Sequence, residues 1–293
     1  MKVVFMGTPQ FAVPCLERLI ADGHEVGAVL AQPDKPKGRG LQLAAPPVKE
    51  AALAHGLAVF QPTTLRGGEV YDILQKIAPE LIVVTAYGKI LPREILDLPP
   101  LGCVNMHASL LPQYRGAAPI QWAILNGETQ TGITAMQMDA GMDTGAVLLQ
   151  TTCAIPSDAT AADLHDSLSI LAAETLRQTI EGLQTRTLCA VPQDDARASY
   201  APMLKKSMSP LDLSREAENL RNQVRGLFPW PMATIKHNGR TLRVHSCHVA
   251  IEPDDAQLCV QCGDGAYLCL DVVQPEGKRA MSGASYKRGH AGG

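Results

Sequence analysis

Two hydrophobic periods alternate through the first two-thirds of the chain. Residues 2–6 (KVVFM) form a short continuous apolar run ended by Gly7, the pattern of a buried strand. Residues 11–20 then carry apolar side chains at helical spacing, with Thr8 and Pro9 fitting the N-cap and first helical position. Residues 26–31 read as strand again. The rhythm continues with a helix at 48–55, a strand at 56–60, a helix at 68–77 and a strand at 81–85 that is apolar throughout, as in parallel sheets. A strand opens at 101–104, a helix covers 120–125, and alternating strands at 132–138 and 146–153 precede one long amphipathic helix at 160–181. This order predicts an α/β domain around a mostly parallel sheet.

The pattern breaks up between 187 and 210, where Pro192, Asp194, Asp195, Pro202, Lys205, Lys206 and Pro210 cluster. One more helix is expected at 211–227. After F-P-W-P at 228–231, short alternating runs are separated by turns at 238–239, 253–255, 263–265 and 275–277, which predicts a small β-barrel or sandwich. The expected organisation is a catalytic domain at 1–189, a linker at 190–206 and a β domain at 207–293.

Composition narrows this little. Of the 293 residues, 46% are hydrophobic and 19% charged, an ordinary globular balance. No apolar run approaches the roughly 20 residues that cross a bilayer. The start of the chain lacks the shape of a signal peptide, and the eight cysteines are scattered. A cytoplasmic protein with reduced thiols is therefore expected. Net charge is -3 but uneven. Residues 1–202 hold 14 basic against 20 acidic side chains, and residues 203–293 hold 12 against 9. That gives -6 and +3, compatible either with an anionic partner at the second part or with an accident of surface composition.

Candidate chemistry gathers at 101–116 (LGCVNMHASLLPQYRG). On a strand, Asn105 and His107 point the same way and Met106 the other. Both therefore stand at the end of a strand, where open α/β sheets place their ligands. The stretch 139–145 (DAGMDTG) can add a carboxylate, Asp143. Rivals are weaker. A dinucleotide site needs G-x-G-x-x-G, and only Gly7 follows the first strand. Cys259 and Cys262 form one pair where a zinc knuckle needs two, so buried thiols are expected and no metal. Cys103 has no second base to activate it. The stretch 32–49 packs four prolines, two glycines and four basic residues, and Lys35, Lys37 and Arg39 alternate with breakers. It reads as a mobile basic loop, either a solvated surface or a phosphate-contacting segment.

With these residues in view, the chain resembles the folate-dependent formyltransferases over nearly its whole length. S-L-L-P-x-Y-R-G at 109–116 and D-x-G-x-D-T-G at 139–145 are shared by that family. M-G-T-P-x-F-A at 6–12, Q-P-D-K-P-K-G-R-G at 32–40, A-Y-G-K-I-L-P at 86–92, F-P-W-P and P-E-G-K-R-A-M at 275–281 extend the match. The basic loop, F-P-W-P and the C-terminal β domain point to its tRNA-acting branch.

The resemblance implies a Rossmann-like domain followed by an OB-like barrel. It implies transfer of a formyl group from 10-formyltetrahydrofolate to the α-amino group of methionyl initiator tRNA, without metal or NAD. Asn105, His107 and Asp143 are then the catalytic expectation. Folate binding falls to Tyr87, Gly88, Lys89, Ile90 and Leu91, to Ser109, Leu110, Leu111 and Pro112, and to Asp139, Ala140 and Gly141. The tRNA falls to Lys35, Lys37, Arg39 and Lys206, and the protein is expected to be a monomer. Residues 203–213 depart from the family: a lysine, an acidic pair and a tryptophan usual there are missing, while Lys206 and Asp212 remain. A small-molecule formyltransferase and a non-catalytic RNA-binding protein are the alternatives.

Overall fold

The computed structural model describes residues 1–37 and 42–290. Its backbone groups into two compact units, one of residues 1–116, 131–153 and 165–200, the other of residues 117–130, 154–164 and 201–293. The units are interleaved along the chain, whereas the expected boundaries were linear.

The first unit is built on a seven-stranded sheet. Its strands are β1 (Lys2–Gly7), β2 (Glu25–Leu30), β3 (Val59–Phe60), β4 (Leu81–Thr85), β5 (Cys103–His107), β6 (Gln130–Gln137) and β7 (Val147–Ala154). Their spatial order is β3-β2-β1-β4-β5-β6-β7. This is the 3-2-1-4-5-6 order of a Rossmann fold with one strand added. Pairing is parallel from β3 to β5 and turns antiparallel between β5 and β6.

Side-chain alternation builds two cores. Val4, Met6, Ala28, Leu30, Ile82 and Val84 share one face and pack with Val70 and Leu74 of the helix Glu69–Ile77 and with Ile95 and Leu96. Phe5 points to the other face, where Gly7 fits between it and Ala12: a Cβ on Gly7 would fall 2.7 Å from the Phe5 ring and 2.9 Å from Ala12. The expected cap differs. Pro9 caps a short 3-10 turn, Gln10–Ala12, and the α-helix Val13–Ala21 starts after it with Pro14 in its first turn. The Thr8 hydroxyl instead donates to the Tyr87 carbonyl, 3.1 Å away.

The described residues of the stretch 32–49 include two short strands. Lys35–Lys37 pairs antiparallel with Gln42–Ala44. Below it, the Lys49 ammonium donates to both Asp34 oxygens and to Gln61, which ties the hairpin's base to the unit. Asp34 is held below the usual carboxylate range by these hydrogen bonds, first from Lys49 and then from Gln61. Arg39 lies outside the described residues.

The second unit is an antiparallel sheet of five strands, Ala233–His237, Arg240–Ala250, Leu258–Gln261, Tyr267–Pro275 and Met281–Ser282. Register shifts between Val244 and Cys247 bend the eleven-residue strand. The expected helix at 211–227 is shorter, Ala217–Gly226, because Leu211 donates its N–H to the Thr234 carbonyl and so joins the sheet edge. Leu220 and Val224 of that helix pack on Leu242, Val244, Leu270 and Tyr286. The expectation of reduced thiols fails at one pair: Cys259 and Cys269 form a disulfide. They are direct cross-strand partners, a relation that C-x-x-C spacing does not reveal. No helix among the described residues is long and apolar enough to cross a membrane.

Leu74 has no exposed surface and lies in the core under β1 and β4. Leu74→Ala is expected to cost about 2–5 kcal/mol of unfolding free energy, read as a lower urea midpoint at unchanged slope.

Candidate active site

β5 ends where two loops of the first unit meet. Asn105 and His107 stand on one face of it, flanked by buried Met106. Across the antiparallel ladder, Asn105 faces Met136 and His107 faces Thr134. The loop after β5 is pinned by its own polar groups. Thr134 donates its hydroxyl to the Ser109 carbonyl at 2.6 Å and accepts from the Leu111 N–H at 3.1 Å. The Gln150 amide donates to the Leu111 carbonyl at 2.8 Å, and the Ser109 hydroxyl to the Gln113 carbonyl at 2.6 Å. These bonds leave Ser109 and Leu111 buried and Leu110 partly buried.

The second loop, 139–145, owes its shape to close approach. Asp139 Oδ1 accepts from the Gly141 N–H at 3.0 Å and the Thr144 hydroxyl at 2.7 Å. A Cβ on Gly141 would fall 2.0 Å from that hydroxyl, and one on Gly145 would fall 1.7 Å from the Gln137 carbonyl. Between the two glycines Asp143 takes the left-handed conformation, φ 54°. Its Oδ2 accepts from the Gly116 N–H at 2.9 Å. Its Oδ1 lies 3.6 Å from His107 Nδ1, within ion-pair range and beyond a hydrogen bond.

The imidazole is therefore oriented by a different group. His107 Nε2 lies 2.9 Å from the Tyr114 carbonyl, which can only accept, so Nε2 carries a proton. His107 is nearly buried at 6% exposure. Asn105 differs from its neighbours: its amide makes no hydrogen bond to any described residue. The site thus combines a free amide donor, a buried imidazole and a carboxylate positioned independently of both.

Three further groups support the site. Gln193 donates its amide to the carbonyls of Asp143 at 2.8 Å and Gly145 at 2.7 Å. Arg115, 2% exposed, donates to Gln193 Oε1 through Nε and Nη2 and to Asp195 Oδ1 at 2.7 Å. The third is the Tyr114 carbonyl. Gln193 lies in the segment read as linker. What brings it here is a bridge between Val147 and Val191, which sets the backbone beside Gly145. No periodicity marks a single bridge of that kind.

The loop after β4 carries Tyr87 to Leu91. The Tyr87 ring is buried, and burial pushes its hydroxyl up to about 12. That hydroxyl has no partner among the described residues. Lys89 donates to the carbonyls of Pro62 and Thr63, and burial lowers its pKa. Leu91 is buried, while Ile90 is 77% exposed. Tyr87, Leu91 and Met138 belong to one core cluster, which joins this loop to the start of 139–145, where Met142 is 62% exposed. Cys103 is a buried thiol raised to about 12, chiefly by burial and then by Asp97, so it offers no thiolate. No group of metal-binding side chains occurs among the described residues. Lys35 and Lys206 are exposed, Lys206 on a 3-10 turn of the second unit.

Residues 1–180 match the family model described as formyl transferase, and residues 203–291 the model of its C-terminal domain. A methionyl-tRNA formyltransferase of Ruminiclostridium cellulolyticum is 46% identical over 99% of this chain and 97% of its own. One from Geobacter metallireducens is 47% identical over 99% and 96%. A solved sugar 3N-formyl transferase, with dTDP and 5-N-formyl-THF present, gives a TM-score of 0.71 at 18% identity over 95% of this chain and 99% of that one. The methionyl-tRNA formyltransferase from Clostridium thermocellum gives 0.59 at 17% identity over 94% and 98%. At these identities the two structures speak for the fold alone.

Gln193→Leu keeps the volume and removes both hydrogen bonds to the loop. It is expected to cost about 1–3 kcal/mol of stability, seen as a lower thermal midpoint, because two carbonyls lose their donor and Arg115 loses one of its two acceptors.

Proposed function

Because the chain belongs to the formyl transferase family, we propose that it carries a formyl group from 10-formyltetrahydrofolate to the α-amino group of methionyl initiator tRNA, using Asn105, His107 and Asp143. The observation that carries the assignment of these residues is the contrast at the end of β5. The Asn105 amide has no partner among the described residues, while His107 Nε2, on the same strand face, is held by the Tyr114 carbonyl and Asp143 Oδ2 by the Gly116 N–H.

The reaction forms a bond from the amine nitrogen to the formyl carbon and breaks the bond from that carbon to the folate nitrogen. The amine loses one proton and the folate nitrogen gains one. Asn105 donates its N–H groups to the formyl oxygen while negative charge collects there. His107 has Nε2 committed to the Tyr114 carbonyl, so Nδ1 is its working nitrogen. Nδ1 and Asp143 Oδ1 face each other with space for one proton to be held and passed on. Asp143 keeps its place during this because Oδ2 is bound to the Gly116 N–H.

The residues present fit a flat, polar-edged folate. Ile90 and Met142 offer exposed apolar surface, and the backbone at Gly88, φ 80°, offers polar contacts. Lys89 is committed to protein carbonyls and contributes its backbone rather than its charge. For the tRNA, exposed Lys35 on the anchored hairpin and exposed Lys206 are the described cations that fit phosphate contacts. Lys37 and Arg39 extend that basic run in sequence.

Asn105→Ala is expected to lower kcat by about 10²–10³-fold, and His107→Ala or Asp143→Ala by about 10²–10⁴-fold, with folate affinity by calorimetry little changed. Near-normal kcat in any one variant removes that residue from the reading. Formylation of methionyl initiator tRNA against a small amine acceptor decides the substrate class. The logarithm of KM for the tRNA should rise with that of salt by about 0.9 per phosphate contact, while KM for folate stays flat. A flat tRNA response would contradict phosphate recognition.

A further inference from the structure

The F-P-W-P segment takes no part in the site above, yet it walls a cavity of about 560 Å³ in the second unit. That size falls in the range of about 300–1,000 Å³ typical of small-ligand sites. The floor is the outer face of the antiparallel sheet. Thr234 pairs with Arg243 and Arg243 with Gln274, so the three side chains stand in one row on the same face. Leu242 and Val244, on either side of Arg243, are fully buried in the core and fix that row outward. One wall is residues 229–232. A second holds Lys206 and Ser209, fastened to the edge strand by the Thr234 N–H donating to the Ser209 carbonyl at 2.7 Å. The turn at 275–277 makes the third.

The lining has an unusual set of unused groups. Trp230 is 52% exposed and is flanked in sequence by Pro229 and Pro231. The side chains of Trp230, Lys206 and Arg243 make no hydrogen bond or ion pair to any described residue, and neither does that of Glu276, the carboxylate of the lining. A free phosphate has no use for the indole, and an apolar peptide has none for two cations. A nucleotide uses all of them: the base stacks on an aromatic face, the phosphates meet cations, and an exocyclic amine meets the carboxylate. Lys206 on a wall and Arg243 on the floor suit phosphates on both sides of one base, which favours a nucleotide within a chain.

We infer that this cavity seats one unpaired nucleotide of the RNA substrate, with its base stacked on Trp230 and its flanking phosphates on Lys206 and Arg243. The inference rests on the tRNA substrate proposed above and adds a recognition site in the second unit.

The test uses the full chain with Trp122→Phe, which leaves Trp230 as the single tryptophan of the two. Deacylated initiator tRNA should quench its fluorescence, and adenosine monophosphate alone should not at the same concentration. Trp230→Ala should raise KM for methionyl-tRNA about tenfold with kcat and folate KM unchanged, and Trp230→Phe should recover most of that loss. Arg243→Gln should lower the salt slope of tRNA binding by about one. An unchanged tRNA KM in Trp230→Ala, or fluorescence indifferent to tRNA, overturns the inference. Quenching by the mononucleotide as tight as by tRNA also overturns it, in favour of a free-nucleotide site. A fall in kcat and in thermal midpoint that Trp230→Phe does not repair marks the indole as structural and overturns it too. Because quenching is read with uncharged tRNA, a failure to formylate methionyl-tRNA defeats the proposed reaction without touching this readout.

Discussion

The hydrogen bond from the Gly116 N–H to Asp143 Oδ2 joins two loops that are far apart in sequence, and the geometry of the site follows from it. A carboxylate left to itself beside a buried imidazole would close onto it. Here one oxygen is committed to a backbone donor, so the other stays 3.6 Å from His107 Nδ1. The bond can form only because Asp143 is left-handed and because Gly145 lets the chain pass against the Gln137 carbonyl. Gln193 holds the carbonyls on either side of that strained turn, and Arg115 holds Gln193. The buried Arg115 is thus consumed by positioning.

Much of the first unit was legible because its signals are local. Apolar runs such as 81–85 and helical spacing such as 69–77 report burial directly, and each strand of the sheet fell within a few residues of its expected place. Asn105 and His107 were legible for the same reason, since alternation on one strand needs no tertiary information. The misses were of another kind. Thr8 satisfies the pattern of an N-cap, but the Tyr87 carbonyl competes for its hydroxyl. Cys259 meets Cys269 through strand register, and Gln193 reaches Asp143 through a single bridge at Val191. Leu211 looks helical until the Thr234 carbonyl takes its N–H. In each case a partner distant in sequence outweighed the local preference.

The same accounting applies to charge. Several cations of the first unit are engaged within it: Arg115 on Gln193 and Asp195, Lys49 on Asp34 and Gln61, Lys89 on two carbonyls. Lys35, on the strand Lys35–Lys37, is exposed instead. In the second unit the Lys206 and Arg243 side chains stay unpaired in the cavity that Trp230 lines. Unpaired cations in water contribute little to folding. Their stability cost of removal is therefore small. The two units differ in the state of these charges: in the first, Arg115, Lys49 and Lys89 hold side chains and backbone carbonyls in place, and in the second Lys206 and Arg243 stay open to the anionic chain inferred above.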